Sequence, residues 1–192
     1  MVAHVKPGAR VREKEKNTHG LLIVYTGEGK GKTTAALGMA MRAVGRGWRV
    51  LMIQFGKGSW HYAELESSKR LAPEFEIVPM GLGFYKILDD AHLESEHRRA
   101  ALEALALAQA KMEAGEYDML ILDEINGVIA ARLVPLDAVL KLLDAKPEGL
   151  TLVLTGRYAP QEIIDRADLV TEMREIKHPY QKGMLAQKGI DY

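Results

Sequence analysis

The residues best suited to chemistry are Thr26-Gly27-Glu28-Gly29-Lys30-Gly31-Lys32-Thr33-Thr34, directly after the apolar run Leu21-Leu22-Ile23-Val24-Tyr25. Glycines at this spacing let backbone N–H groups turn inward onto oxyanions where a Cβ would block approach. Lys32 supplies a mobile positive charge, Thr33 a hydroxyl for Mg²⁺, and a helix opening at Lys32 adds its positive end. The chemistry implied is binding of a nucleoside triphosphate. One position departs from the standard phosphate loop: Thr26 stands where its first glycine belongs, and the nearest glycine is Gly27. A second acidic element fits the same site. Met119-Leu120-Ile121-Leu122-Asp123-Glu124 is an apolar strand ending in acids, the pattern of a Walker B carboxylate that reaches Mg²⁺. The spacing leaves open whether Asp123 or Glu124 does more.

Two further segments follow apolar runs and should emerge at the same edge. In Gln54-Phe55-Gly56-Lys57-Gly58-Ser59-Trp60, Lys57 could be a second phosphate contact, and Trp60 with Tyr62 an apolar platform; an ordinary surface loop fits equally. In Thr155-Gly156-Arg157, Arg157 could grip phosphate bidentately or pair with Glu162 or Asp165. His92 reads as an exposed histidine, and no histidine falls in metal-ligand spacing.

These residues need a scaffold that alternates strands and helices. The expected strands are Leu21–Thr26, Arg49–Phe55, Phe75–Met80, Met119–Glu124, Leu150–Thr155 and Leu169–Arg174. Several are apolar at every position, as in a parallel sheet covered twice. Helices are expected at Lys32–Val44, near Asp90–Ala114, at Leu136–Ala145 and at Pro160–Ala167. The fold class is α/β: a P-loop NTPase-like, mostly parallel β-sheet flanked by helices on both faces, with ligands at the carboxyl ends of the strands. Residues 1–19 read as a polar arm, with a helix packing on a partner as the alternative. Residues 20–192 read as a single P-loop domain.

Among 192 residues, 26 basic side chains balance 26 acidic ones, so no global field draws nucleic acid or anionic membrane. Absence of cysteine removes disulfides, thiolate metal sites and cysteine nucleophiles. No run approaches the ~20 apolar residues of a membrane span, and the start lacks a signal peptide's apolar run. The expectation is a soluble cytoplasmic protein.

From about Gly20 to the C-terminus the chain resembles the ATP:corrinoid adenosyltransferase family. The resemblance rests on the loop Thr26–Thr34 with its particular glycine spacing, Gln54–Trp60, Leu122-Asp123-Glu124 and Thr155-Gly156-Arg157. It also rests on the tail Lys177-His178-Pro179-Tyr180-Gln181-Lys182-Gly183 and Ala186–Tyr192. The resemblance implies an enzyme in which Co(I) of cobalamin or cobinamide attacks C5′ of ATP and triphosphate leaves. It implies Mg²⁺ (or Mn²⁺) on Thr33, Asp123 and Glu124. ATP contacts would come from Thr26, Gly27, Glu28, Gly29, Lys30, Gly31, Lys32, Thr33, Thr34, Lys57 and Arg157. It also implies a homodimer whose N-terminal arm covers the partner's site, and a flavoprotein reductase that supplies Co(I). The family usually carries Gly-Phe-Thr-Trp after the third strand, with aromatics crowding the corrin's lower face; this chain has Gly81-Leu82-Gly83-Phe84-Tyr85-Lys86. Phe84 is kept as a catalytic candidate, Trp60, Phe84 and Tyr85 are the corrinoid candidates, and Lys86 replaces the tryptophan. Two alternatives stay open: a P-loop ATPase or kinase acting at the γ-phosphate, and a non-catalytic nucleotide- or corrinoid-binding module.

Overall fold

Strands that are apolar at every position must be covered on both faces, because successive side chains point to opposite sides. The computed structural model, which describes residues 19–58, 62–83, 85 and 92–192, has this arrangement. Strands β1 (Leu22–Thr26), β2 (Val50–Gln54), β3 (Phe75–Pro79), β4 (Met119–Asp123), β5 (Thr151–Thr155) and β6 (Leu169–Glu172) form one sheet in the order β3-β2-β4-β5-β1-β6. Every neighbouring pair is parallel, so the sheet is more uniform than the expected mostly parallel one.

Alternation sorts the side chains. Leu22, Val24, Leu51, Ile53, Leu120, Leu122, Leu152 and Leu154 enter one core, against α3 (Glu94–Ala114), α4 (Ile125–Ala130), α5 (Leu136–Asp144) and Ile163 of α6 (Gln161–Ile164). Ile23, Tyr25, Val50, Met52, Met119, Ile121 and Val153 enter the other, against Ala36, Ala40 and Ala43 of α1 (Lys32–Val44). Alanines on the buried stripes of α1 and α3 let the helices lie close to the sheet.

Each strand lies within two residues of its expected ends. Two short helices differ from expectation. α2 (Ala63–Lys69) has Ala63 and Leu65 as its apolar residues and shows no apolar period. α4 starts immediately after the acidic strand end, because Glu124 adopts a left-handed conformation (φ 65°) that turns the chain within one residue. The long helix starts at Glu94, not near Asp90: the Glu96 carboxylate accepts the Leu93 N–H at 2.8 Å and fixes the first turn there. The N-terminal arm, Trp60, Phe84 and Lys86 lie outside the described residues. Among the described residues, no helix is long and apolar enough to cross a membrane.

Candidate active site

Strand β1 delivers the glycine-rich loop at its carboxyl end. Gly27 has φ 94°, and a Cβ there would lie 2.5 Å from the Met173 carbonyl oxygen, so both conformation and space require glycine. The Gly29 N–H donates to Met173 O at 2.6 Å, which ties the loop to the chain leaving β6. Thr26, the departure from the standard loop, is buried, and its hydroxyl accepts the Ala159 N–H at 3.2 Å. Helix α1 then opens without a side-chain cap, and its first-turn N–H groups are left for an anion.

Lys32 is 7% exposed and arches back over the loop, donating to the carbonyls of Gly27 (2.8 Å) and Gly29 (2.7 Å). Burial pulls its pKa below the usual lysine value, and the nearby Glu124 charge opposes that. The other loop charges point outward. Lys30 pairs with Asp191 of the tail, and Glu28 with Arg157 at 3.5 Å. Of the two readings of Arg157, phosphate contact or a carboxylate pair with Glu162 or Asp165, the structure shows a carboxylate pair, but with Glu28 of the phosphate loop. Thr34 is exposed.

The sheet order places β5 between β1 and β4, so the acid on β4 reaches the loop across the end of β5. Asp123 is fully buried. Its Oδ1 accepts the Thr33 hydroxyl at 2.8 Å and the Thr155 hydroxyl at 2.7 Å. Thr155 in turn accepts the Glu124 N–H at 2.9 Å. Burial pushes the Asp123 carboxyl above the ordinary range, opposed by the Lys57 charge and the two hydroxyls. Glu124 is raised by burial and by the Asp123 charge, against Lys32 and Arg157.

Strand β2 adds a third part. Lys57 is buried, pairs with Glu64 of α2, and stands 4.3 Å from the centre of the Tyr62 ring. The Gln54 amide lies between Glu64 and Asp123, at 3.4 and 3.5 Å. The structure thus gathers Lys32, Thr33, Asp123, Glu124 and Lys57 at one sheet edge. Tyr85 instead packs on α3, its hydroxyl bonded to Glu94 and its ring edge-on to His97 at 5.3 Å. His92 is half-exposed beside Glu96, and no cluster of three or more metal-ligating acids, histidines or cysteines occurs among the described residues. Sequence reasoning passed over Thr155, Gln54 and Glu64. Thr155 stood at a strand end already flagged, and only the order of strands reveals that it bridges β1 and β4.

The comparisons agree with this geometry. A profile described as "ATP:corrinoid adenosyltransferase BtuR/CobO/CobP" matches residues 18–192. A corrinoid adenosyltransferase of Salmonella typhimurium is 39% identical over 188 residues, covering 96% of this chain and 91% of its own. One from Escherichia coli K12 is 37% identical over 187 residues, covering 97% and 92%. Among solved structures, the flagellar accessory protein FlaH of Methanocaldococcus jannaschii superposes with a TM-score of 0.56 at 16% identity, covering 80% of this chain and 71% of that one. That likeness concerns the fold, which is P-loop NTPase-like. With a match over nearly the whole chain and a nucleotide-loop site at the sheet edge, the chain belongs to the ATP:corrinoid adenosyltransferase family, enzymes that transfer an adenosyl group from ATP to a corrinoid.

Proposed function

We propose that the enzyme forms a Co–C bond between Co(I) of cobalamin or cobinamide and C5′ of ATP, and that the site holds the departing triphosphate. The cobalt's electron pair makes the new bond, the C5′–O bond breaks, and its electrons leave with the triphosphate. The observation that carries this reading is a phosphate loop whose Lys32 and Thr33 are backed by the buried Asp123, in a chain with no cysteine nucleophile. The substrate brings its own nucleophile, so the protein's work is charge stabilisation and positioning. Lys32, the loop N–H groups between Gly27 and Thr34 other than that of Gly29, which Met173 holds, and the α1 N-terminus stabilise the leaving anion. Arg157 lines the outer side of the loop. Lys57, engaged by Glu64, braces the β2 end.

The residues fit a divalent cation. Thr33 and Asp123 present hard oxygen donors 2.8 Å apart, with Glu124 adjacent, and Gln54 Oε1 is a buried acceptor with no donor among the described residues. When bound, Mg²⁺ or Mn²⁺ would supply charge neutralisation to the triphosphate oxygens. Thr33 and Asp123 would hold it, and Glu124 would support them.

The enzyme would act in the cytoplasm as a homodimer supplied with Co(I) by a flavoprotein reductase, its arm (1–19) covering the partner's site over the 20–192 unit. Exposed Ile176, Leu185 and Ile190 on the tail favour burial against a second copy. Phe84 and Trp60 would face the corrinoid, with Tyr85 anchored on α3 at its border.

The test uses an ATP analogue with an imido group between the β and γ phosphorus atoms. Adenosyl transfer breaks no P–O–P bond, so the analogue with chemically reduced Co(I) should still yield a light-sensitive adenosyl-corrinoid. Failure of the analogue, with ATP giving ADP and orthophosphate, would contradict the reading.

A further inference from the structure

Gln54 closes β2 in register with Asp123 and is fully buried. Its Nε2 donates to Glu64 Oε1 at 3.4 Å and Asp123 Oδ2 at 3.5 Å, both long for such bonds. Turning the amide over would set its oxygen against two carboxylates, so the chemistry fixes which end is which. That leaves Gln54 Oε1 buried with no donor among the described residues. Buried acceptors are nearly always satisfied, and one left open at a ligand-bearing edge asks for a donor from the ligand.

The neighbours narrow the choice. Asp123 Oδ1 is occupied by the Thr33 and Thr155 hydroxyls, whereas among the described residues its Oδ2 receives only the long Gln54 bond. A carboxylate oxygen and an amide oxygen thus sit on register-paired residues at the ends of β4 and β2, and the other Asp123 oxygen holds the Thr33 hydroxyl. A water bound to a divalent cation is a donor with two polarised O–H groups, and it suits such a pair. A phosphate oxygen does not, because it only accepts.

We propose that Gln54 is a positioning residue for the cation's water shell: its carbonyl oxygen accepts from a cation-bound water that Asp123 shares. The Lys57–Glu64 pair, closing over Gln54 from α2, keeps the amide pointed that way. This rests on the reading that Thr33 and Asp123 hold a divalent cation, so its test separates the two.

Mn²⁺ binding to the full-length protein with ATP, read by electron paramagnetic resonance, is measured for wild type, Gln54→Met, Gln54→Glu and Asp123→Asn. Methionine keeps the volume and removes the acceptor; it should weaken Mn²⁺ about tenfold or more while leaving ATP binding in chelator unchanged. Glutamate keeps an acceptor but loses the donor that meets Glu64 and Asp123, so it should bind Mn²⁺ more tightly than Gln54→Met. Mn²⁺ affinity in Gln54→Met within about twofold of wild type, with Asp123→Asn impaired, would overturn the proposal and spare the cation site. Loss in Gln54→Glu equal to that in Gln54→Met would also overturn it. Should Gln54→Met fail to fold, Gln54→Leu, which likewise lacks an acceptor, replaces it with the same two outcomes. Wild-type affinity in Asp123→Asn would remove the cation reading itself, and the proposal with it.

Discussion

Lys32 and Asp123 are both charged groups kept from water, and each is held by groups that answer its charge. Lys32 has two loop carbonyls, and Asp123 has two hydroxyls. Substituting either Lys32→Ala or Thr33→Ala should lower the rate of adenosyl-corrinoid formation by at least about a hundredfold, since both act on charge that grows as triphosphate leaves. A near-normal initial rate would place the triphosphate elsewhere. Asp123 gives a second prediction, on stability. Burial raises its pKa above 3.8, so in the metal-free protein the folded state binds its proton more tightly than the unfolded chain does. Stability is then lost as pH rises from the ordinary carboxylate range through the raised value. Asp123→Asn keeps both hydroxyl bonds without the charge, so in chelator its Tm advantage over wild type should grow between pH 4 and pH 8. A variant that melts below wild type at pH 8 would contradict this. The loop residues were legible because strand, glycines and helix are consecutive. Gln54, Glu64 and Thr155 were not, because their meeting with Asp123 depends on which strands lie side by side.

At the scale of elements, the phosphate loop is held from outside by parts of the chain remote in sequence. Met173 after β6 accepts the Gly29 N–H, and Asp191 pairs with Lys30 while also accepting the Gln187 N–H of its own terminal turn. The Lys30–Asp191 pair is partly exposed, so its loss should be mild: Asp191→Asn should raise KM for ATP by less than about fivefold with kcat unchanged. A tenfold fall in kcat at saturating ATP would show that the tail does more than steady the loop. The joint between β5 and α4 is less forgiving. Gly156 has φ 123°, and a Cβ there would sit 2.9 Å from the Gly127 nitrogen. Gly156→Ala should destabilise by roughly 1–3 kcal/mol, read as a lowered Tm, and a wild-type Tm would refute the strain argument. The four inner strands were legible because the sheet buries them on both faces, whereas the edge strand β6 is exposed throughout and β3 only partly buried. The short helices α2 and α4 were not: one lacks apolar period, and the other exists because Glu124 bends the backbone against its residue type's usual preference.

Across the whole molecule, six parallel strands bring their carboxyl ends to one edge, and the resemblance read from the loop, the acidic strand and the tail agrees with a family match over residues 18–192. The fold class followed from apolar runs alternating with helical ones, but the strand order, with β5 between the loop strand and the acid strand, is a long-range choice that local patterns do not encode. That order sets Thr155 against Asp123 and puts this buried acid behind the phosphate loop. The central claim is that this edge releases triphosphate whole while carbon is transferred. The most direct measurement is phosphorus NMR of a single reaction with ATP, Mg²⁺ and chemically reduced Co(I) cobalamin, alongside the visible spectrum of the product. The account predicts inorganic triphosphate in equal amount to a light-sensitive adenosyl-corrinoid; ADP and orthophosphate without a Co–C product would contradict it.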